Sequence, residues 1–334
     1  MPPSLTNRSH ADSTTFSQLR ELKLPFPIVQ LNYRLGPSHP YPTPIHDVLR
    51  GYDWVKEHLL PKRIIARLGR SERVGKVAVC GELLGGGLAA MLALTECRAG
   101  QPGIVAAALS NPIVDWVDLE DDGITVGKTG RTNTAPSAAA ALTTQLHGLR
   151  GKVFRKPEHY FDPFASPMLF LRSPGGAIPP APPEIPVDDM GHLTQLDRED
   201  FRHVSEQSPE DMTPQKRTAK RYPSPLLGLR LPAFHLQAGQ SSPLLCSQTE
   251  EFTQRLRQAH VRQAGEADFG RKVLEEDELD EMDGGERREV VQRELEARKR
   301  AQLSVSRDSG LWDDSVAGRA RVAEMARWVG EALR

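Results

Sequence analysis

Nowhere in the chain does an apolar run approach the ~18 residues that a membrane-spanning helix requires. The amino terminus, MPPSLTNRSHADSTTF, has neither the basic start nor the apolar stretch of a secretory signal. A soluble, cytoplasmic protein with no membrane span is expected. Cysteine is scarce: Cys80, Cys97 and Cys246 are odd in number, far apart and without Cys/His ligand spacing. That argues against a disulfide scaffold and against a zinc site, so no metal and no cofactor are expected. Charge of one sign is missing too. The 43 basic and 44 acidic residues leave a formal charge of −1, which gives nucleic acid no field to follow.

What is present is an alternation of apolar runs and helical periodicities. Phe16, Leu19 and Leu22 recur at helical spacing within 14–23, and Pro25 and Pro27 close that helix. Ile28–Leu31 is an apolar run of strand length, followed by the turn-rich GPSHPYPTP and a helix over 45–60. Residues 74–80 read as a second strand, running through GELLGGG into a helix of small residues. Further strands are expected at 104–109, 231–238 and 303–306, with helices over 250–259 and at the carboxyl terminus. Strands alternating with helices imply a mostly parallel, doubly wound α/β sheet. Residues 266–300 alternate acids and bases, the pattern of two exposed helices or a solvated hairpin.

Three stretches divide the chain. Residues 1–117 and 230–334 carry the periodic core, and 118–229, rich in Pro, Gly, Ser and Thr, reads as an irregular cap insertion.

The run Val29-Gln30-Leu31-Asn32-Tyr33-Arg34-Leu35-Gly36-Pro37, with His39-Pro40-Tyr41-Pro42 and Asp47-Val48 after it, resembles the YRLAPEHPFPAALDDV segment of hormone-sensitive-lipase-like esterases, a branch of the α/β-hydrolases. Gly81-Glu82-Leu83-Leu84-Gly85-Gly86 stands where that branch has its GDSAGG nucleophile elbow. Gly239 to Leu244 is similar to its GExDPL segment, and Ser309-Gly310-Leu311-Trp312 falls at its histidine loop. NPIVDW at 111–116 and FDPFASPMLF at 161–170 resemble fungal members in particular. The resemblance implies an α/β-hydrolase sheet whose HGGG oxyanion loop and first strands are missing from this sequence.

The same resemblance implies a site emptied of its reactive groups. Leu83 occupies the nucleophile position, and an isobutyl group has no lone pair with which to attack a carbonyl. Ser242 occupies the acid position and Ser309 the base position, and a serine hydroxyl is no useful base near neutral pH. Gly81 and Gly85, with Gly86, keep the small residues an elbow needs, and the amide of Leu84 keeps one oxyanion donor. The expectation is an inactive pseudo-hydrolase serving as a binding or scaffold module, with a possible small apolar ligand in a residual pocket; the alternative is a diverged carboxylic-ester hydrolase. The identity of a protein partner is left open by the sequence. Glu82, Cys80, His39, His46, Asp115 and Asp162 read as structural residues, and Ser9-His10-Asp12 as triad residue types without triad geometry.

Overall fold

The computed structural model describes residues 8–60, 75–119, 138–175, 218–265 and 284–334. Its element order is α1 (Arg8–Glu21), α2 (Thr43–His58), β1 (Lys76–Glu82), α3 (Leu83–Thr95), β2 (Gly103–Ser110), α4 (Ala138–Val153), α5 (Met168–Leu171), β3 (Ala233–Gly239), α6 (Pro243–Ala264), α7 (Gly284–Arg300), β4 (Ala301–Ser306) and α8 (Val316–Leu333). The strands form one sheet in the order β1-β2-β3-β4, and every neighbouring pair is parallel. Parallel strands need crossovers, and α3 and α6 supply two of them.

Each face of the sheet is covered, which is why the central strands are apolar throughout rather than alternating. On one face α2, α3, α4 and α6 bring Ile45, Tyr52, Met91, Leu94, Phe252 and Leu256 into a single core. On the other, α8 lays Val322, Met325 and Val329 against Ala108 and Trp312, and Leu19 of α1 packs beside them. Residues Gly86 to Leu94 of α3 are all buried, so this helix lies inside the molecule with no polar face. Ser315 starts α8 by accepting a hydrogen bond from the Gly318 amide at 2.9 Å.

Two expectations fail. Ile28–Leu31 is extended but is not a strand. From Leu24 to Asn32 no backbone group pairs with another among the described residues, and a strand exists only where a ladder partner stands beside it. Within 118–229, residues 138–153 form a regular helix, α4, whose Leu146, Leu149 and Val153 enter the core. The Ala-rich start and the spacing of those three residues are helical signals that the surrounding Pro and Gly concealed. Of the charged stretch, 284–300 is one helix, and 266–283 lies outside the described residues, as do 120–137 and 176–217 of the stretch expected to be a cap.

Candidate functional site

In a parallel sheet every strand ends on the same edge, so the loops after β1, β2, β3 and β4 converge at its carboxyl side. Leu83, Asn111, Ser242 and Ser309 all leave the sheet there. The expected positions are thus brought to one edge.

The turn from β1 into α3 is tight. A Cβ on Gly81 would lie 2.3 Å from the carbonyl oxygen of Gly85, and one on Gly87 2.3 Å from that of Ile113. Only glycine lets those backbones approach. Gly85 itself has room for a methyl group; it supplies the carbonyl that Gly81 approaches. Between them Leu83 sits at φ 50°, in the left-handed region that costs a residue with a Cβ roughly 1–2 kcal/mol. Its carbonyl accepts the Ile113 amide at 3.0 Å, and its side chain is half-buried against the core. The Leu84 amide is in the first turn of α3, where helix amides have no intrahelical acceptor.

Glu82 turns to the last loop, where its Oε1 accepts the Trp312 amide at 2.6 Å. That bond tethers the turn after β1 to the loop after β4.

Ser242 precedes α6 as its N-cap residue, yet its hydroxyl makes no capping bond. Ser309 lies in a loop held from below. The Asn111 Nδ2 donates to the Ser309 carbonyl at 2.8 Å, the Gly239 amide donates to Asn111 Oδ1 at 3.0 Å, and Ser110 Oγ donates to the Gly310 carbonyl at 2.8 Å. A Cβ on Gly310 would sit 2.5 Å from the Gly239 nitrogen, and its φ is 68°. Beside it, Asp308 accepts from Ser306, the Gly310 amide and Arg321. Partial burial opposes its ionisation, but these donors prevail and hold it at about 2.

Asn111, Asp308 and Arg321 were not singled out from the sequence. Asn-Pro at the end of an apolar run was the available signal for the first, since asparagine tolerates its φ of 41°.

The remaining candidates scatter. His39 closes a turn, donating its amide to the Gly36 carbonyl at 2.9 Å, and His46 is an exposed residue of α2. Asp162 caps the Phe164 amide and accepts from the Tyr41 hydroxyl. Asp115 accepts the amides of Val117 and Asp118, a loop cap, and also meets Arg172 at 2.6 Å. Arg172 reaches Asp118 at 2.7 Å and Glu251 at 2.9 Å as well, and burial pushes the Asp115 carboxyl up to about 6 despite that cation. Cys80 is not buried. It is accessible at the outer rim of β1, where desolvation by its surroundings pushes its thiol up to about 12, far from a reactive thiolate. The side chains of Ser9, His10 and Asp12 lie outside the described residues.

A cavity of about 410 Å³ adjoins the same rim. Leu83, Ser242 and Ser309 are not among its lining residues. Among the described residues no group of three or more His, Cys, Asp or Glu converges to hold a metal ion, and no helix is long and apolar enough to cross a membrane.

The parallel sheet, the tight strand-to-helix elbow and the converging loops define the α/β-hydrolase fold. The family described as the alpha/beta hydrolase fold matches residues 18–182. Esterase LipI of Mycobacterium tuberculosis is 38% identical over 89 residues, 27% of this chain and 25% of that protein. Carboxylesterase NlhH of the same organism is 34% identical over 85 residues, 25% and 24% of the two chains. The match thus spans about a quarter of those curated relatives. Among solved structures, esterase LipW of Mycobacterium marinum gives a TM-score of 0.39 at 16% identity, covering 90% of this chain and 61% of that one. An esterase of Pyrobaculum calidifontis gives 0.42 at 18%, covering 90% and 64%.

Proposed function

We propose that this chain is a non-catalytic, esterase-like α/β-hydrolase fold that serves as a binding or scaffold module. The observation that carries the reading is Leu83. Its backbone holds the left-handed conformation of an elbow, while its side chain has neither an electron pair for a carbonyl nor a proton for a base. Ser242 and Ser309 follow in the same sense. The first is only the residue before α6, and the second is pinned through its carbonyl by Asn111. Neither brings a carboxylate or an imidazole to the sheet's carboxyl edge. Asp308 accepts from Ser306, Gly310 and Arg321, and no imidazole is among its partners in the described residues.

The rival reading, a diverged carboxylic-ester hydrolase, draws on the esterase names of the two Mycobacterium tuberculosis relatives. A serine-reactive fluorophosphonate separates the two. The folded protein is expected to remain unlabelled and to hydrolyse short p-nitrophenyl esters no faster than a heat-denatured sample. Labelling mapped to a serine at the sheet's carboxyl edge, with ester turnover, would establish the rival. Leu83→Ser alone is expected to leave turnover at background, because a serine without a base stays a weak nucleophile.

A further inference from the structure

A short chain of polar side chains is buried in the apolar layer under α8. His235 and Gln237, two residues apart on β3, point to that face and are 5% and 2% exposed. Trp312, also buried, donates its indole Nε1–H to Gln237 Oε1 at 2.7 Å. Gln237 Nε2 in turn lies 3.2 Å from His235 Nε2. Buried polar groups cost free energy unless donors meet acceptors, and an indole nitrogen can only donate. Gln237 must therefore turn its oxygen to Trp312 and its NH2 to the imidazole, so that His235 Nε2 accepts. The ring is then neutral, with its proton on Nδ1.

At the other end of this chain Trp312 is a joint. Its amide donates to Glu82 at the end of β1 at 2.6 Å, and its carbonyl accepts from Thr15 of α1 at 3.3 Å. It belongs to the loop that Ser110 and Asn111 hold through the carbonyls of Gly310 and Ser309.

A second proton on the imidazole has no place in that order of donors. It sets an N–H at Nε2 against the NH2 of Gln237. Turning the amide over satisfies the imidazolium but sets the NH2 against the indole N–H, so no orientation of Gln237 serves both neighbours. We propose that His235, Gln237 and Trp312 form a proton-operated latch, in which protonation of His235 breaks the bond from Trp312 to Gln237 and releases the loop carrying Trp312 from β3. The latch acts whether or not esters are hydrolysed.

The elements packed on the ring set the pH at which it works. β2 places Ala108 beside His235, β4 places Gln302, and α8 places Trp328 and Glu324, of which Glu324 alone is charged. Burial lowers His235 below the ordinary histidine value, and Glu324 and Gln302 oppose that shift. The latch is thus closed above about 6.5 and opens as the pH falls below it, through the lowered value of the folded ring.

The test is 15N NMR of the full chain between about pH 7.5 and about pH 4.5, following the His235 ring nitrogens and the Trp312 indole, the latter assigned with Trp312→Phe. At the upper end His235 is expected as the neutral Nδ1–H form. On acidification the Trp312 indole should shift with the midpoint of His235 and exchange with solvent at least about fivefold faster, with an unchanged far-ultraviolet circular dichroism spectrum. Gln237→Glu inverts the outcome: the new carboxylate accepts from the indole and the imidazolium together, so His235 should titrate at a higher pH and Trp312 should stay bonded throughout. Should that variant fail to fold, His235→Phe, which takes up no proton, is expected to hold the Trp312 signal constant over the range.

A His235 proton on Nε2 at the upper end overturns the proposal. So does a ring that stays neutral to the lower end, a Trp312 signal indifferent to the titration of His235, or one that still shifts in His235→Phe. Global unfolding at or before the midpoint overturns it as well, because the proton then acts on the whole fold and not on one joint.

Discussion

Two runs expected to be strands meet opposite fates in this molecule. Residues Ile104 to Leu109 lie in β2, paired on one rim with β1 and from Ala106 on the other with β3, and almost wholly buried; residues Ile28 to Leu31 stay extended, without a backbone partner among the described residues. Hydrophobicity does not separate them, since both have β-branched residues and both line the core or the cavity beside it. Neighbours do. β2 has β1 and β3 against its two rims, and the segment 24–32 lines the cavity with no ladder partner among the described residues. Strand formation is thus a property of a pair, and a one-dimensional reading sees only one member.

The largest effect that bears on this contrast is expected at the centre. Phe234 of β3 is fully buried and meets Phe252 edge-on with centroids 6.2 Å apart. Phe234→Ala should cost about 3–5 kcal/mol in urea unfolding, by lost transfer energy plus the cavity left behind. A loss below about 1 kcal/mol would mean that the centre is no better packed than the rim.

Next comes a pH effect from the helix that covers this centre. His260 of α6 is buried, and desolvation, helped by the nearby Arg300, lowers it to about 3. The unfolded chain takes up a proton below about 6.5 while the folded one does not, so stability falls as pH drops from about 6.5 towards 3. The slope from this group is at most about 1.4 kcal/mol per pH unit. His260→Leu removes that component, and the difference between variant and wild type should widen steadily on acidification. A constant difference would show that His260 is protonated in the fold.

The carboxyl edge stands between centre and rim. Asn111→Ala leaves the Gly239 amide and the Ser309 carbonyl without partners, for a loss of roughly 2 kcal/mol or more. Asn111→Asp can still accept from Gly239 but cannot donate to Ser309, so it should recover only part of the loss. Full recovery would mean that the bond to Ser309 contributes nothing to holding that loop.

How much of this was legible follows the same division. Four strand segments and both flanking helix layers could be read from periodicity, because each apolar stripe meets a partner that the rest of the chain supplies. The strand-to-helix turn at Gly81 to Gly85 was anticipated through the family resemblance, and its close backbone approach is a local demand. What escaped depends on distant pieces. Asn111 is one residue of an unremarkable Asn-Pro pair until the loop at 309 and the strand at 239 close on it. The accessibility of Cys80 could not be read from a strand that looks buried in sequence, because it follows from β1 being outermost. The helix α4 was hidden for another reason: its periodic leucines lie among residues whose composition signals loop.

At the rim the smallest effect is expected, and it sharpens the contrast most. Val29 is 41% exposed and belongs to the segment without backbone partners, so Val29→Ala should change stability by no more than about 0.5 kcal/mol, against several for Phe234→Ala. Hydrogen exchange supplies the second measurement. Amides of Ala106 to Leu109 should open only with global unfolding, while those of Ile28 to Asn32 should exchange near the rate of an unstructured chain. Protection of the rim segment comparable to that of β2, in the protein alone, would mean that its amides are already paired in solution. Both runs would then be strands.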